Sequence, residues 1–244
     1  MSQIAIRNQI YSYEKLGSQG ATPILIMHGW GRSKEEWLAI GKELSKEREV
    51  YLLDLPGFGG STLPSQVNNM EEYTELVIKF CQYLKLKKLI LIGHSLGGRV
   101  GVLMAQPNSR VDVEKLVLVD PAGVKSFSLK RLVLYVVSKM FFWVPIRMRR
   151  KLVRGAMDED YQQSGKRDLL YRVVVGNDLR SCLSKIRCPV VVIWGENDNI
   201  LPLSLVRVYR RLLDKNRVRL VWGAGHDPHL SHYPQLLAIL QESI

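Results

Sequence analysis

The chain is poor in cysteine and in acidic residues. Its 244 residues include three cysteines, Cys81, Cys182 and Cys188, an odd number without metal-ligand spacing. That argues against a disulfide framework or a thiolate zinc site, and for reduced thiols in a cytoplasmic protein. No stretch reaches the ~18 apolar residues of a membrane-spanning helix. The opening residues lack the basic, apolar and small-residue order of a secretory leader. There is no internal repeat and no low-complexity tract. No glycine-rich phosphate loop follows a strand in the dinucleotide pattern, and the five histidines are scattered. Neither a cofactor nor a metal is therefore expected.

Acid is scarce relative to base: 23 Asp and Glu stand against 35 Lys and Arg, a net charge of +12. The imbalance is local. Residues 125–188 carry fifteen Lys and Arg against five Asp and Glu, while the remainder is close to neutral with 20 against 18. The basic character belongs to one segment, and no nucleic-acid motif accompanies it, so no nucleic-acid partner is expected. Hydrophobic residues make up 46% and charged residues 24%, the balance of an ordinary globular domain. The length suits one domain with a small insertion.

Apolar strand-like runs occur at 4–7, 10–15, 24–27, 50–54, 89–92, 116–120, 190–194 and 218–222. The first two read as an antiparallel pair. Helical periodicity appears at 70–84, 96–105, 204–213 and 234–242, and Ser33 is expected to cap a helix running to about 45. Strand-like and helical runs alternating in this way specify an α/β fold with a mostly parallel sheet covered by helices. The alternation breaks between Gly123 and Pro189, which suggests a helical insertion over the carboxyl ends of the strands, where ligands bind in open α/β sheets.

The run Leu89-Ile90-Leu91-Ile92 leads directly into Gly93-His94-Ser95-Leu96-Gly97. Gly-x-Ser-x-Gly between a buried strand and a helix is the sequence form of a nucleophile elbow. Side chains at Gly93 and Gly97 would collide with the neighbouring strand and helix. A serine hydroxyl needs a base to take its proton and an acid to orient that base. Asp198 follows the strand-like run 190–194, and His226 follows 218–222 behind Gly223-Ala224-Gly225. The chain order serine, aspartate, histidine is the one expected for this elbow. Asp120, at the end of an earlier strand, is the alternative acid. His229 and His232 are alternative bases, and Asp227 beside His226 carries little weight as a second acid. Asp54 reads as structural, holding the loop 56–61.

Five pieces, taken together and in order, resemble the α/β-hydrolases of the small carboxylesterase and lipase-like type: His28-Gly29-Trp30-Gly31, the run from Asp54 to Ser61, the elbow, Gly195-Glu196-Asn197-Asp198 with Pro202, and Gly225-His226 with Pro234. The resemblance spans nearly the whole chain. It implies an α/β-hydrolase fold with an eight-stranded sheet, a core formed by 1–124 and 189–244, and a helical cap at 125–188. It implies a catalytic triad of Ser95, Asp198 and His226, with an oxyanion hole at the backbone N–H groups of Trp30 and Leu96. His28, Gly29 and His94 would support the substrate pocket. One departure is visible: relatives often carry an acid about five positions after the histidine, where this chain has Ser231.

The activity implied is that of a serine carboxylesterase acting on a small-molecule ester, with an apolar acyl group as the expected substrate feature. Lactones and monoacylglycerols fall within the same chemistry. The alternatives are a carbon–carbon bond hydrolase of ring-cleavage products, suggested by Asp120-Pro121-Ala122-Gly123, and a non-catalytic ligand-binding protein on the same fold. Ring-cleavage enzymes typically carry tryptophan after the catalytic histidine, where this chain has Asp227. The apolar run within 132–146 beside Arg147, Arg149, Arg150, Lys151 and Arg154 suggests a weak contact with an anionic membrane surface through the cap. A monomer or a dimer is expected.

Overall fold

A computed structural model describes residues 2–18, 20–124, 168–175, 178–213 and 218–244. Most of the proposed cap, at 125–167 and 176–177, lies outside the described residues, as do its apolar run and arginine cluster.

Eight strands form one sheet in the order β1-β2-β4-β3-β5-β6-β7-β8. They are β1 Ser2–Ile6, β2 Gln9–Leu16, β3 Ala21–Met27, β4 Arg48–Leu53, β5 Lys88–His94, β6 Asp112–Val119, β7 Val190–Gly195 and β8 Val218–Val221. The β1–β2 and β2–β4 pairs are antiparallel and the remaining pairs are parallel. The α-helices among the described residues are α1 Leu38–Leu44, α2 Met70–Tyr83, α3 Leu96–Met104, α4 Asp168–Val175, α5 Arg180–Leu183, α6 Val206–Leu212, α7 Pro228–Ser231 and α8 Tyr233–Ser243.

The central strands are apolar on both faces because helices cover both. Leu89, Leu91, Leu116, Leu118, Val192 and Trp194 join the core beneath α2, α3 and α6. Their chain neighbours Ile90, Ile92, Val117, Val119, Val191 and Ile193 point the opposite way, with Leu236 and Leu240 of α8. Side chains alternate across a strand, so continuous apolar runs fill two cores at once.

The strand order reverses direction at β3 and β5. From β3 the chain crosses to β4 on one side, and from β5 to β6 on the other. Loops leaving the carboxyl ends of these neighbouring strands diverge and open a crevice. Met27 lies opposite Gly93 in the register, which brings the loop carrying Trp30 beside the elbow carrying Ser95.

Three local details differ from the sequence reading. Residues 34–37 form a 3-10 turn before α1, and Ser33 makes no side-chain cap bond. The cause lies in tertiary structure. Lys34 is drawn inward, its backbone N–H donating to Asp54 Oδ1 at 2.8 Å and its ammonium to Asp54 Oδ2 at 2.7 Å. Secondly, β8 stops at Val221, and Trp222 is exposed. Thirdly, the last helix is preceded by the separate short α7. At α2 the expected start holds, with Asn69 Oδ1 accepting from the Glu72 N–H at 2.8 Å while the Glu72 carboxylate returns to the Asn68 N–H, a reciprocal cap.

Residues 168–175 and 178–183 pack on the core. Leu170, Val174, Leu179 and Leu183 are buried with it. The Leu179 N–H donates to the Gly123 carbonyl at 2.8 Å, and the Arg99 guanidinium donates to the Val174 carbonyl.

Candidate active site

Ser95 joins β5 to α3 with φ 47° and ψ −104°. An L-residue adopts such a backbone only at a cost of order 1–3 kcal/mol, which the surrounding structure must outweigh. The restraints are visible. The Ser95 N–H donates to the Val119 carbonyl, and the Ser95 carbonyl accepts from the N–H groups of Arg99 and Ala122. A Cβ at Gly93 would overlap the Gly97 carbonyl, and one at Gly97 would overlap the Met27 carbonyl. Glycine at both positions lets helix, elbow and neighbouring strand meet.

The loop after β3 approaches from the other side. His28 is buried and holds that loop by both ring nitrogens. Nδ1 donates to the Gly29 carbonyl at 2.7 Å and Nε2 accepts the Leu55 N–H at 3.0 Å. This pair of partners fixes the neutral tautomer, and burial pushes the pKa of His28 down. Gly29 leaves room for His94, whose Nδ1 would lie 2.8 Å from a Cβ there. Among the described residues, neither the Trp30 nor the Leu96 N–H has an acceptor. The Trp30 ring packs edge-on against Phe58 at 4.9 Å and Tyr171 at 5.1 Å between centroids.

Asp198 and His226 leave the carboxyl ends of β7 and β8. His226 Nδ1 lies 2.7 Å from Asp198 Oδ2. Asp198 Oδ1 accepts the N–H groups of Ile200 and Leu201, each at 2.8 Å. The carboxylate thus takes three donors, which fix its plane. His226 is bonded to Asp198 and not to Asp120. Asp120 is wholly buried with φ 41°, and its Oδ1 accepts the Gly195 N–H at 2.8 Å. Burial pushes its pKa well up.

The other histidines have different surroundings. His94 Nε2 donates to the His226 carbonyl at 2.8 Å, and burial keeps its ring neutral, with its pKa well below the usual value. His229 stacks on Trp37 at 4.5 Å, and its Nε2 lies 3.3 Å from Glu36 Oε2. His232 Nδ1 lies 3.0 Å from the Ser231 hydroxyl. Asp227 turns to Arg32, at 2.5 Å. Asp54 ties the loop 56–61 to the sheet, Oδ2 accepting the Gly60 N–H at 2.9 Å while its carbonyl accepts the Ser61 hydroxyl at 2.6 Å. Sequence reasoning missed the Trp37–His229 stack, the Lys34–Asp54 pair and the Arg32–Asp227 pair.

Among the described residues, two groups have the donor types a metal could use, His94 with Asp227 and His229, and Asp120 with Asp198 and His226. In the first, the His94 Nε2 proton is committed to a carbonyl and Asp227 to a guanidinium. In the second, His226 and Asp198 are committed to each other.

His229 gives an acid-sensitive contribution to stability. Burial pushes its pKa down to about 4, whereas the unfolded chain titrates near 6.5. Between those values the unfolded state holds the extra proton. Stability therefore falls as pH drops from about 6.5 to about 4, by on the order of 3 kcal/mol. His94 acts in the same direction. In urea unfolding at about pH 7 and about pH 4.5, His229→Gln is expected to lose less stability on acidification than the parent. An identical loss in both proteins would refute the assignment.

A profile of the alpha/beta hydrolase family matches residues 24–239, and the chain belongs to that family. It is 29% identical over 220 residues to the dihydrolipoyllysine-residue acetyltransferase component of the acetoin cleaving system of Pseudomonas putida, covering 83% of this chain and 59% of that protein. The chain thus spans less than two thirds of that relative. It is 27% identical over 255 residues to the monoacylglycerol lipase ABHD6 of Mus musculus, covering 89% of this chain and 74% of that one. Among solved structures, a membrane phospholipase A described as a bacterial virulence factor superposes with a TM-score of 0.75 at 27% identity, covering 99% of this chain and 86% of its own. Among the described residues, no helix is long and apolar enough to cross a membrane.

Proposed function

We propose that this chain is a serine hydrolase of carboxylic esters with an apolar acyl group. The observation that supports the reading most is the 2.7 Å bond between His226 Nδ1 and Asp198 Oδ2, at the same carboxyl edge of the sheet as a strained serine elbow. In this reading Ser95 Oγ attacks the ester carbonyl while His226 Nε2 takes its proton. Asp198 stabilises the imidazolium. The developing oxyanion receives the Trp30 and Leu96 N–H groups, each worth about 2.7–4 kcal/mol in comparable enzymes. His226 returns the proton to the departing alkoxide, and water then releases the acid from Ser95 by the same steps. The segment 125–188 acts as a cap over the acyl group. The aromatic wall of Trp30, Phe58 and Tyr171 favours an apolar chain, and the lipase and phospholipase relatives favour a lipid ester.

The test is a series of aryl esters of increasing acyl length, followed through the first turnover. A burst of the phenol and a rise in kcat/KM with length, up to roughly fourfold per buried methylene, are expected. No turnover of any ester would overturn the reading. Turnover of a ring-cleavage product alone would replace it with carbon–carbon hydrolysis.

A further inference from the structure

Asp120 is a buried carboxyl group whose second oxygen lacks a conventional partner. Its Oδ1 accepts the Gly195 N–H, but its Oδ2 is buried and has no hydrogen-bond partner. An oxygen of Asp120, an oxygen of Asp198 and a ring nitrogen of His226 lie within 4.8 Å of one another. Two carboxylates so placed repel, and neither can donate. One shared proton removes the repulsion and converts the contact into a short, charge-assisted hydrogen bond.

The geometry points to a carboxylic acid at Asp120 that donates from Oδ2 to the Asp198 carboxylate, making Asp120 a positioning residue behind the proposed triad. The proton belongs on Asp120 because of the donor count. Asp198 already receives two backbone N–H groups and the imidazole, whereas Asp120 receives one backbone N–H. Desolvation and the Asp198 charge both disfavour ionised Asp120.

The groups that face Asp120 reinforce this. From the loop after β7 comes Asp198, and from the loop after β8 come His226 and the charge of Asp227. From α6, Tyr209 donates its hydroxyl to the Pro121 carbonyl at 3.0 Å. The backbone at Asp120, at φ 41°, belongs to a region where Asp, Asn and Gly are the favoured residues.

The inference rests on the Ser95–His226–Asp198 reading for its catalytic consequence, but not for its protonation state. Two measurements are therefore needed. Difference infrared spectra of the parent and Asp120→Asn at neutral pH test the proton without any turnover. A protonated-carboxyl carbonyl band in the parent, missing from the variant, is expected. Carboxylate bands alone would overturn the proposal, whatever the activity. Stability supplies an independent check. Because the fold keeps a proton that the unfolded chain releases near pH 4, the parent loses stability as pH rises above that value. Asp120→Asn, uncharged throughout, should gain on the parent steadily as pH rises from about 4 until folded Asp120 itself ionises. A constant difference would count against the proposal.

For activity, Asp120→Asn keeps a donor toward Asp198 and is expected to hold kcat within about threefold. Asp120→Gly fits the left-handed backbone without strain but removes the donor, and should lower kcat about tenfold with KM within about twofold. Should the glycine variant not fold, the asparagine variant and the infrared band still decide. Equal loss in both variants would make Asp120 merely structural. Ester turnover absent from the parent would overturn the triad and leave the shared proton standing.

Discussion

Ser95→Ala should lose ester turnover by about 10⁴-fold or more while folding as the parent does. The large loss follows from the chemistry. In the proposed mechanism the acyl-enzyme forms on Oγ, and without it only binding and the oxyanion donors remain to assist water. The unchanged fold follows from the structure. The Ser95 side chain makes no cap bond to α3, and its backbone partners Val119, Arg99 and Ala122 are untouched by the substitution. Alanine suffers much the same strain as serine at φ 47°, so the two proteins should have the same thermal midpoint within experimental error. The check is paired kinetics and circular dichroism on one preparation of each. Turnover within tenfold of the parent by a folded Ser95→Ala protein would remove Ser95 from the mechanism. A collapsed fold would show instead that Oγ carries structural weight the hydrogen bonds do not reveal.

The elbow was legible because its demands are steric and local. Only glycine at 93 and 97 lets α3 approach β5 and β3, and a run such as Leu89–Ile92 has few destinations other than a strand covered on both faces. The carboxyl-end loops were legible for a related reason: each begins where an apolar run stops, so Asp198 and His226 could be placed by counting strands. Asp54 could be assigned to its loop because glycines crowd the residues after it.

What stayed hidden depends on contacts between distant parts of the chain. Nothing near Lys34 announces a partner 20 residues on, and the inward pull of Asp54 replaced the first turn of the expected helix with a tighter one. His229 and Trp37 are separated by most of the chain, and neither sits in a periodic pattern that would pair them. Helix α7 has four residues, too few to show a period. Tyr171 reaches Trp30 from within the proposed cap segment, and no spacing rule connects them. Asp120 was visible as a rival acid because it ends a strand. Its actual setting, with one oxygen on Gly195 and the other buried without a hydrogen-bond partner, depends on the registers β6 to β7 and β7 to β8, which no local signal supplies.

Asp198→Asn should lower kcat by about 10³–10⁴-fold, with KM changed far less. His226 Nδ1 lies 2.7 Å from the carboxylate, which in the proposed mechanism leaves Nε2 free to accept the Ser95 proton. An amide can present an N–H toward Nδ1 instead, which favours the opposite tautomer and puts the ring proton where the base must be bare. Two of the donors to Asp198, from Ile200 and Leu201, can still reach the amide oxygen, so the loop and the fold should persist. The same substitution separates the two acids. If Asp120 acts through Asp198, changing Asp120 to Gly in the Asp198→Asn background should cost almost nothing further, and the double variant should fall well short of the product of the two single effects. Multiplicative losses would mean that Asp120 works by another route. A mild effect of Asp198→Asn beside a severe one of Asp120→Asn would move the catalytic acid from the loop after β7 to the end of β6.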